Sequence, residues 1–172
     1  IKSYMDGNIK TKGNPRRMYA GMMAMRCALL IITYTDLFKG ATIATRYSLY
    51  RTQFKDSKGA PIPIYNYQMQ RHKLFREISR AYIMALSTKS IIAQVQRTDK
   101  LAQQGDFSEL QDTHINLCCG KVMSTLWAVE GLSNLIKACG GHGYSMYSGI
   151  PHLFLDQFPN QILEGENSVL LL

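Results

Sequence analysis

Seven residues in the middle of the chain, Leu74, Ile78, Ala81, Ala85, Thr88, Ile92 and Val95, follow one another at steps of 4, 3, 4, 3, 4 and 3. That is the period of one face of an α-helix, and it is incompatible with a strand, whose side chains alternate every second residue. The spacing predicts a helix from about Tyr65 to Gln103 with this face in a core.

The flanking segments obey the same period. Asn14-Pro15 forms a helix start, since Asn caps free amides and Pro is tolerated at the first helical position. A helix from there to about Lys55 would span roughly 60 Å. It carries two apolar stripes, Met18, Met22, Met25, Leu29, Ile32 and Met23, Leu30, Leu37, Ala41, Ala44. Two stripes call for burial on two sides, inside a bundle and against a second subunit; the methionines read as core filler. Asp56 to Pro63 holds two prolines and a glycine and breaks the helix into a loop. After the turn at Gln104-Gly105-Asp106-Phe107, Ser108-Glu109-Leu110-Gln111 has the form of a capping box. The third helix should start there, bury Ile115, Cys119, Val122, Leu126, Val129, Leu132 and Ile136, pack Trp127 beside them and end at Gly140. A loop, a helical turn near Pro151 to Phe158 and a last helix from Asn167 complete the reading. Ile1 to Gly13 reads as an irregular lead-in, and no period-two alternation or repeat is visible. The class is all-α, an up-and-down helical bundle of three long antiparallel helices and the start of a fourth.

Composition narrows the functions. The 172 residues suffice for one core, and one domain is expected over 1–172. A net charge of +8 suits a surface that meets anions, although a solvated basic face is the commoner cause. Lys and Arg are scattered and form no basic block, so no nucleic-acid partner is expected. Cys27, Cys118, Cys119 and Cys139 lack metal-ligand spacing, so neither a metal nor a disulfide framework is expected. The longest apolar run, Cys27 to Ile32, falls far short of the roughly 20 residues of a membrane span. No secretory signal is visible.

The last fifth of the chain carries the candidate chemistry. The run Ala138-Cys139-Gly140-Gly141-His142-Gly143-Tyr144-Ser145 offers a backbone that another body can approach closely, because glycine lacks the Cβ that would block it. About twenty residues on, Glu164-Gly165 puts a carboxylate beside a residue free to adopt positive φ, which helps aim a general base. Taken singly, the first run is more often a helix cap and turn, and Glu164-Gly165-Glu166 a solvated loop.

In combination these segments resemble the acyl-CoA oxidases of the acyl-CoA dehydrogenase superfamily. The resemblance rests on Cys139 to Ser145, Ser148-Gly149-Ile150-Pro151 and Glu164 to Asn167 in the family's order and spacing. It extends back through Gly105 to Leu110, Tyr67 to Gln70 and Arg46 to Gln53. It implies a helical domain of a longer protein, with helical and β domains before it and a further helical part after it. The implied reaction removes the proton α to a fatty acyl-CoA thioester while hydride leaves the β carbon for FAD, and passes the electrons to O2.

The resemblance also implies roles for residues. Glu164 falls at the catalytic base, with Glu166 a competing carboxylate better suited to a cap or salt bridge. Arg51 matches an arginine that reaches the FAD pyrophosphate of a neighbouring subunit, which implies a homodimer with a shared FAD site. Gln53 and Gln68 fall at further flavin contacts, and Gly140 and Gly141 at the glycines that lie against its nucleotide part. Lys137 stands where dehydrogenases often have Gln. Gly165 and Arg17 fall at substrate positions, Arg17 near the CoA moiety. His142 reads as structural, because His72, His114 and His152 form no triad or metal set with it. A peroxisomal location is implied by the family. An acyl-CoA dehydrogenase that reduces a carrier flavoprotein is the alternative enzyme, and a non-catalytic helical assembly subunit the alternative of another class.

Overall fold

The computed structural model describes residues 2–3, 9–10 and 15–172, with side chains from residue 21 onward. Three long helices, α1 (Pro15–Tyr50), α2 (Gln68–Gln103) and α3 (Leu110–Ala138), run up, down and up. Their antiparallel order is fixed at both ends. At the lower end the Thr98 and Thr113 hydroxyls meet at 2.7 Å. At the upper end the Gln70 amide donates to Ser48 Oγ at 3.0 Å and to the Ala138 carbonyl at 2.8 Å, tying α2 to α1 and α3.

The inner stripe of α1 is buried as its period requires: Met23, Leu30, Leu37, Ala41 and Ala44 are each 2 % exposed or less. On the outer stripe Met22, Met25 and Ile32 lie open to solvent, and the side chain of Met18 lies outside the described residues. By length and composition alone Gly21–Tyr50 could cross a membrane, more than its longest apolar run suggests, but its inner face packs in the bundle as a core helix does. On α2 the core takes Leu74, Ala81, Met84 and Thr88, and also Glu77, whose carboxylate accepts from Arg76, Arg80 and Asn134.

The buried face of α3 is rotated from the expected stripe. Val122 and Leu132 are buried as expected, but Ile115, Cys119 and Leu126 are exposed. The inward face is Thr113, Leu117, Lys121, Thr125, Ala128, Leu132 and Leu135. The helix is apolar on more than one side, and the side with small residues faces inward because it admits close packing. A Cβ on Gly131 would come within 2.7 Å of Leu37 and 2.8 Å of Glu77. Trp127 packs beside the core, with the Arg80 guanidinium 5.6 Å from its ring centre.

The segments outside the helices depart from expectation in three places. α1 stops at Tyr50, and the chain forms β3 (Thr52–Lys55), paired antiparallel with β4 (Pro61–Pro63), where a helix tail and a loop were expected. The Asp56 carboxylate closes the tip by accepting the Lys58 and Ala60 amides at 2.8 Å, with Gly59 at φ +83°. A second short ladder joins β1 (Lys2–Ser3) to β2 (Ile9–Lys10) inside the expected irregular lead-in. The Ser108 capping box does not form; Asp106 instead accepts the Ser108 amide, and α3 starts at Leu110. Asn14 lies outside the described residues, while Pro15 opens α1 as expected.

Beyond α3 the chain turns at Gly140 into α4 (Gly141–Tyr144) and then descends along the bundle. Helix α5 (Ile150–Gln157) packs on α1 and α3 through Ile150, Leu153 and Phe154. Gln157 donates to Asp36 of α1 at 2.6 Å. A 3-10 turn, Phe158–Gln161, leads to Glu164, and α6 (Asn167–Leu170) follows.

Candidate active site

Glu164 has φ +57°, a backbone conformation that costs a non-glycine residue about 1–3 kcal/mol and persists only where its surroundings impose it. Here they do. Two buried cations grip the carbonyls of its loop from two helices. Arg26 of α1 donates from Nε to the Glu164 carbonyl at 3.0 Å, and its Nη1 lies 3.2 Å from Cys118 Sγ and 3.5 Å from His114 Nδ1. Lys121 of α3, wholly buried, donates from Nζ to the Gly165 carbonyl at 2.6 Å, the Asn167 Oδ1 at 2.8 Å and the Gln161 carbonyl at 3.3 Å. Asn167 is in turn hydrogen-bonded to the Thr125 hydroxyl. Gly165 is glycine because its φ is +105°, and a Cβ there would also press on the Leu170 side chain at 2.8 Å.

The carboxylates of Glu164 and Glu166 are put to different uses. Glu166 caps α6, accepting the Ser168 and Val169 amides at 3.0 and 3.2 Å and the Ser168 hydroxyl. Those Ser168 bonds hold Glu166 below its ordinary carboxylate range. The half-buried Glu164 carboxylate takes part in no hydrogen bond or ion pair among the described residues. Burial pushes Lys121 below the ordinary lysine range and the Arg26 charge adds to this, while Glu166, Cys118 and Glu164 act in the opposite sense. Burial, then Arg26, likewise lowers His114. Burial raises the thiols of Cys27 and Cys118 and pushes that of Cys139 to about 11, so these three are not primed for attack.

The other expected contact residues gather at the opposite end of the bundle. Arg51 follows the last turn of α1, its amide bonded to the Tyr47 carbonyl at 2.8 Å and its carbonyl accepting from Ile64 at 2.8 Å. The Gln53 carbonyl accepts from the Tyr67 hydroxyl, beside exposed Gln68 at the start of α2. His142 is held by the Tyr47 hydroxyl at 3.0 Å, which fits its structural reading and joins the Gly140-Gly141 turn to the Arg51 end. From Arg26, which holds Glu164, to Tyr50 the helix rises about 36 Å. One chain therefore brings Arg51, Gln53, Gln68, Gly140 and Gly141 together and keeps Glu164 away from them. Arg17 lies in the first turns of α1, with its side chain outside the described residues.

The glycines of the turn differ. Gly143 is structural, since a Cβ there would sit 2.0 Å from the Ile136 carbonyl. Gly140 needs its φ of +60°. Gly141 needs neither, for a Cβ on it would meet only Tyr144 at 3.9 Å, which leaves open room above its backbone. Two grooves, about 460 Å³ between α2 and α3 beside Cys119 and Trp127 and about 400 Å³ near Met23 and Phe107, do not reach Glu164. Among the described residues no three metal-type ligands gather.

A family model described as the acyl-CoA oxidase C-alpha1 domain matches residues 19–172. The chain belongs to the acyl-CoA oxidase family. Mouse peroxisomal acyl-coenzyme A oxidase 1 is 34% identical over 168 residues, which cover 97% of this chain and 25% of that protein. The acyl-CoA oxidase-2 of Caenorhabditis elegans, solved with FAD, ascaroside-CoA and ATP, superposes with a TM-score of 0.87 at 30% identity, over 99% of this chain and 26% of that one. Acyl-CoA oxidase 1 of Arabidopsis thaliana gives 0.88 at 27% identity, covering 98% and 26%. The chain thus spans about a quarter of these acyl-CoA oxidases, and the all-α bundle is their shared architecture over that quarter.

Arg26 and Lys121 were not singled out from the sequence, and Asn167 entered only as the end of the Glu164 to Asn167 motif and the start of the last helix. The signal was present: Lys121 lies four residues from both Leu117 and Thr125 on the inward face of α3, and Arg26 interrupts an apolar stretch of α1. A cation in a core register is a reason to look for the acceptors it must satisfy.

Proposed function

We propose that residues 1–172 form one helical domain of a larger FAD-dependent acyl-CoA oxidase, which introduces a 2,3-trans double bond into fatty acyl-CoA and reduces O2 to hydrogen peroxide. The observation that carries this reading is Glu164, whose backbone is locked by Arg26 and Lys121 while its carboxylate is left unengaged. A carboxylate with free lone pairs on a held backbone suits removal of the α proton of a thioester. Glu166 is spent on its cap. Gly165 borders the substrate beside the base. Arg17 meets the CoA moiety, about 14 Å of helix from Arg26 and so at the Glu164 end.

The residues at the far end suit FAD. Arg51 supplies a planar cation for pyrophosphate oxygens, Gln53 and Gln68 supply amides, and Gly140 and Gly141 offer backbone with open space above it. Bound FAD would accept the β hydride and pass its electrons to O2. The distance between this end and Glu164 supports a homodimer in which each FAD meets Glu164 of one chain and Arg51 of the other. The exposed outer stripe of α1, Met22, Met25 and Ile32, supplies apolar surface for such an association. The peroxisomal name of the mouse relative supports a peroxisomal location.

The test is to supply fatty acyl-CoA to the full-length protein and follow peroxide against reduction of a carrier flavoprotein. The expected result is one peroxide per enoyl-CoA formed. Carrier reduction without peroxide would establish the dehydrogenase reading, and protein that holds no FAD would leave a structural subunit.

A further inference from the structure

Two cations inside a helical bundle are costly to bury, and an apolar residue would fill either place more cheaply. Lys121 is wholly buried and Arg26 is 4 % exposed. Among the described residues neither forms a salt bridge. Their hydrogen bonds converge on one feature. The three N–H donors of Lys121 meet three acceptors, the carbonyls of Gln161 and Gly165 and the Asn167 side chain, all within seven residues of one another. Arg26 meets the carbonyl of Glu164 itself. The residue between these anchors carries the left-handed backbone at φ +57°. Both cations engage main-chain oxygen and leave the carboxylate alone, whereas an ion pair to that carboxylate would weaken it as a base.

We propose that Lys121 and Arg26 are positioning residues for proton abstraction: they clamp the loop carbonyls on either side of Glu164 and so aim its carboxylate at the α carbon of the substrate. The proposal rests on Glu164 being the base. The clamp acts through geometry, and displacement of a reacting group by about 1 Å costs on the order of 100-fold in rate. It therefore affects the chemical step and leaves in place the flavin contacts of Arg51, Gln53 and Gln68, which lie at the far end of the same bundle.

The test uses the full-length, FAD-loaded enzyme under anaerobic single turnover with a saturated fatty acyl-CoA, recording the rate of flavin bleaching and the substrate concentration that gives half that rate. Lys121→Met and Arg26→Gln are compared with Leu132→Ala, a core truncation about 16 Å further along α3 that weakens the fold without touching the loop. Each clamp variant is expected to keep its FAD and its half-saturating concentration within threefold, and to bleach 10- to 100-fold more slowly. Leu132→Ala should bleach at the wild-type rate well below its melting temperature. Either clamp variant suffices if the other does not fold. Wild-type bleaching in a clamp variant, or a loss no larger than that of Leu132→Ala, overturns the proposal. Glu164→Gln run in parallel separates the two ideas: bleaching at the normal rate there removes the base assignment, whereas a dead Glu164→Gln beside an unimpaired Lys121→Met removes only the clamp.

Discussion

At the scale of the residue, Glu164 and Glu166 show how two carboxylates two positions apart acquire different roles from their hydrogen bonds. Glu166 accepts the first amides of α6, while the Glu164 carboxylate accepts nothing among the described residues and the residue is held through its main-chain carbonyl. Glu164→Gln in the full-length enzyme should keep FAD and slow its reduction by about 100- to 10,000-fold, the usual contribution of a general base. Glu166→Gln should be far milder, because an amide oxygen can still cap; steady-state turnover of the two variants checks this. His114 carries a pH prediction. Burial and Arg26 lower its folded pKa, so the unfolded chain takes up the proton first as pH falls through about 6.5. The contribution of His114 to stability is thus full above that pH and is lost progressively below it, down to its folded pKa. Urea midpoints between pH 7.5 and 5 should drop more for the wild type than for His114→Gln.

At the scale of the element, the turn after α3 separates glycines required by the fold from one that is not. Gly141→Ala should leave folding intact, because its Cβ meets only Tyr144 at 3.9 Å, yet weaken FAD retention in the assembled enzyme. Gly143→Ala should impair folding, with a Cβ 2.0 Å from the Ile136 carbonyl. Soluble yield and flavin content distinguish these outcomes. Between α2 and α3 the wholly buried Glu77 accepts from Arg76, Arg80 and Asn134. Glu77→Ala removes the acceptor shared by these donors, but Arg80 keeps its pair with Glu130 and Arg76 reaches solvent, so the loss should be about 1–3 kcal/mol, read from chemical denaturation.

At the scale of the whole molecule, the roughly 36 Å of α1 between Arg26 and Tyr50 puts the proposed base and the proposed flavin contacts of one chain at opposite ends. Arg51→Ala should weaken flavin binding by a charge-assisted contact of roughly 1.5–3 kcal/mol, or about one to two factors of ten. Co-expressed Arg51→Ala and Glu164→Gln chains should regain activity, since half of the sites in a mixed dimer would hold both intact residues. A verified, flavin-loaded mixed dimer with no more activity than either parent would sink the shared-site arrangement.

The sequence by itself determined the helical class, the turn at Gly140 and the inner stripe of α1, because a period of 3.6 and its glycine and proline breaks are local properties. It also singled out Glu164, through motif order. It placed α1 five residues too long, since the hairpin of Thr52–Lys55 and Pro61–Pro63 is decided by pairing between segments that no helical period records. It set the buried face of α3 off by a rotation, right at Val122 and Leu132 but missing Leu117 and Lys121, because that helix is apolar on several sides and only contact with α1 and α2 selects the side with small residues. Two cations among apolar residues hint at buried partners, but what they hold could not be read from the sequence, for the same reason. Arg26, Lys121 and Asn167 are distant in sequence, and only the packing of α1, α3 and the returning chain brings their donors and acceptors to one loop.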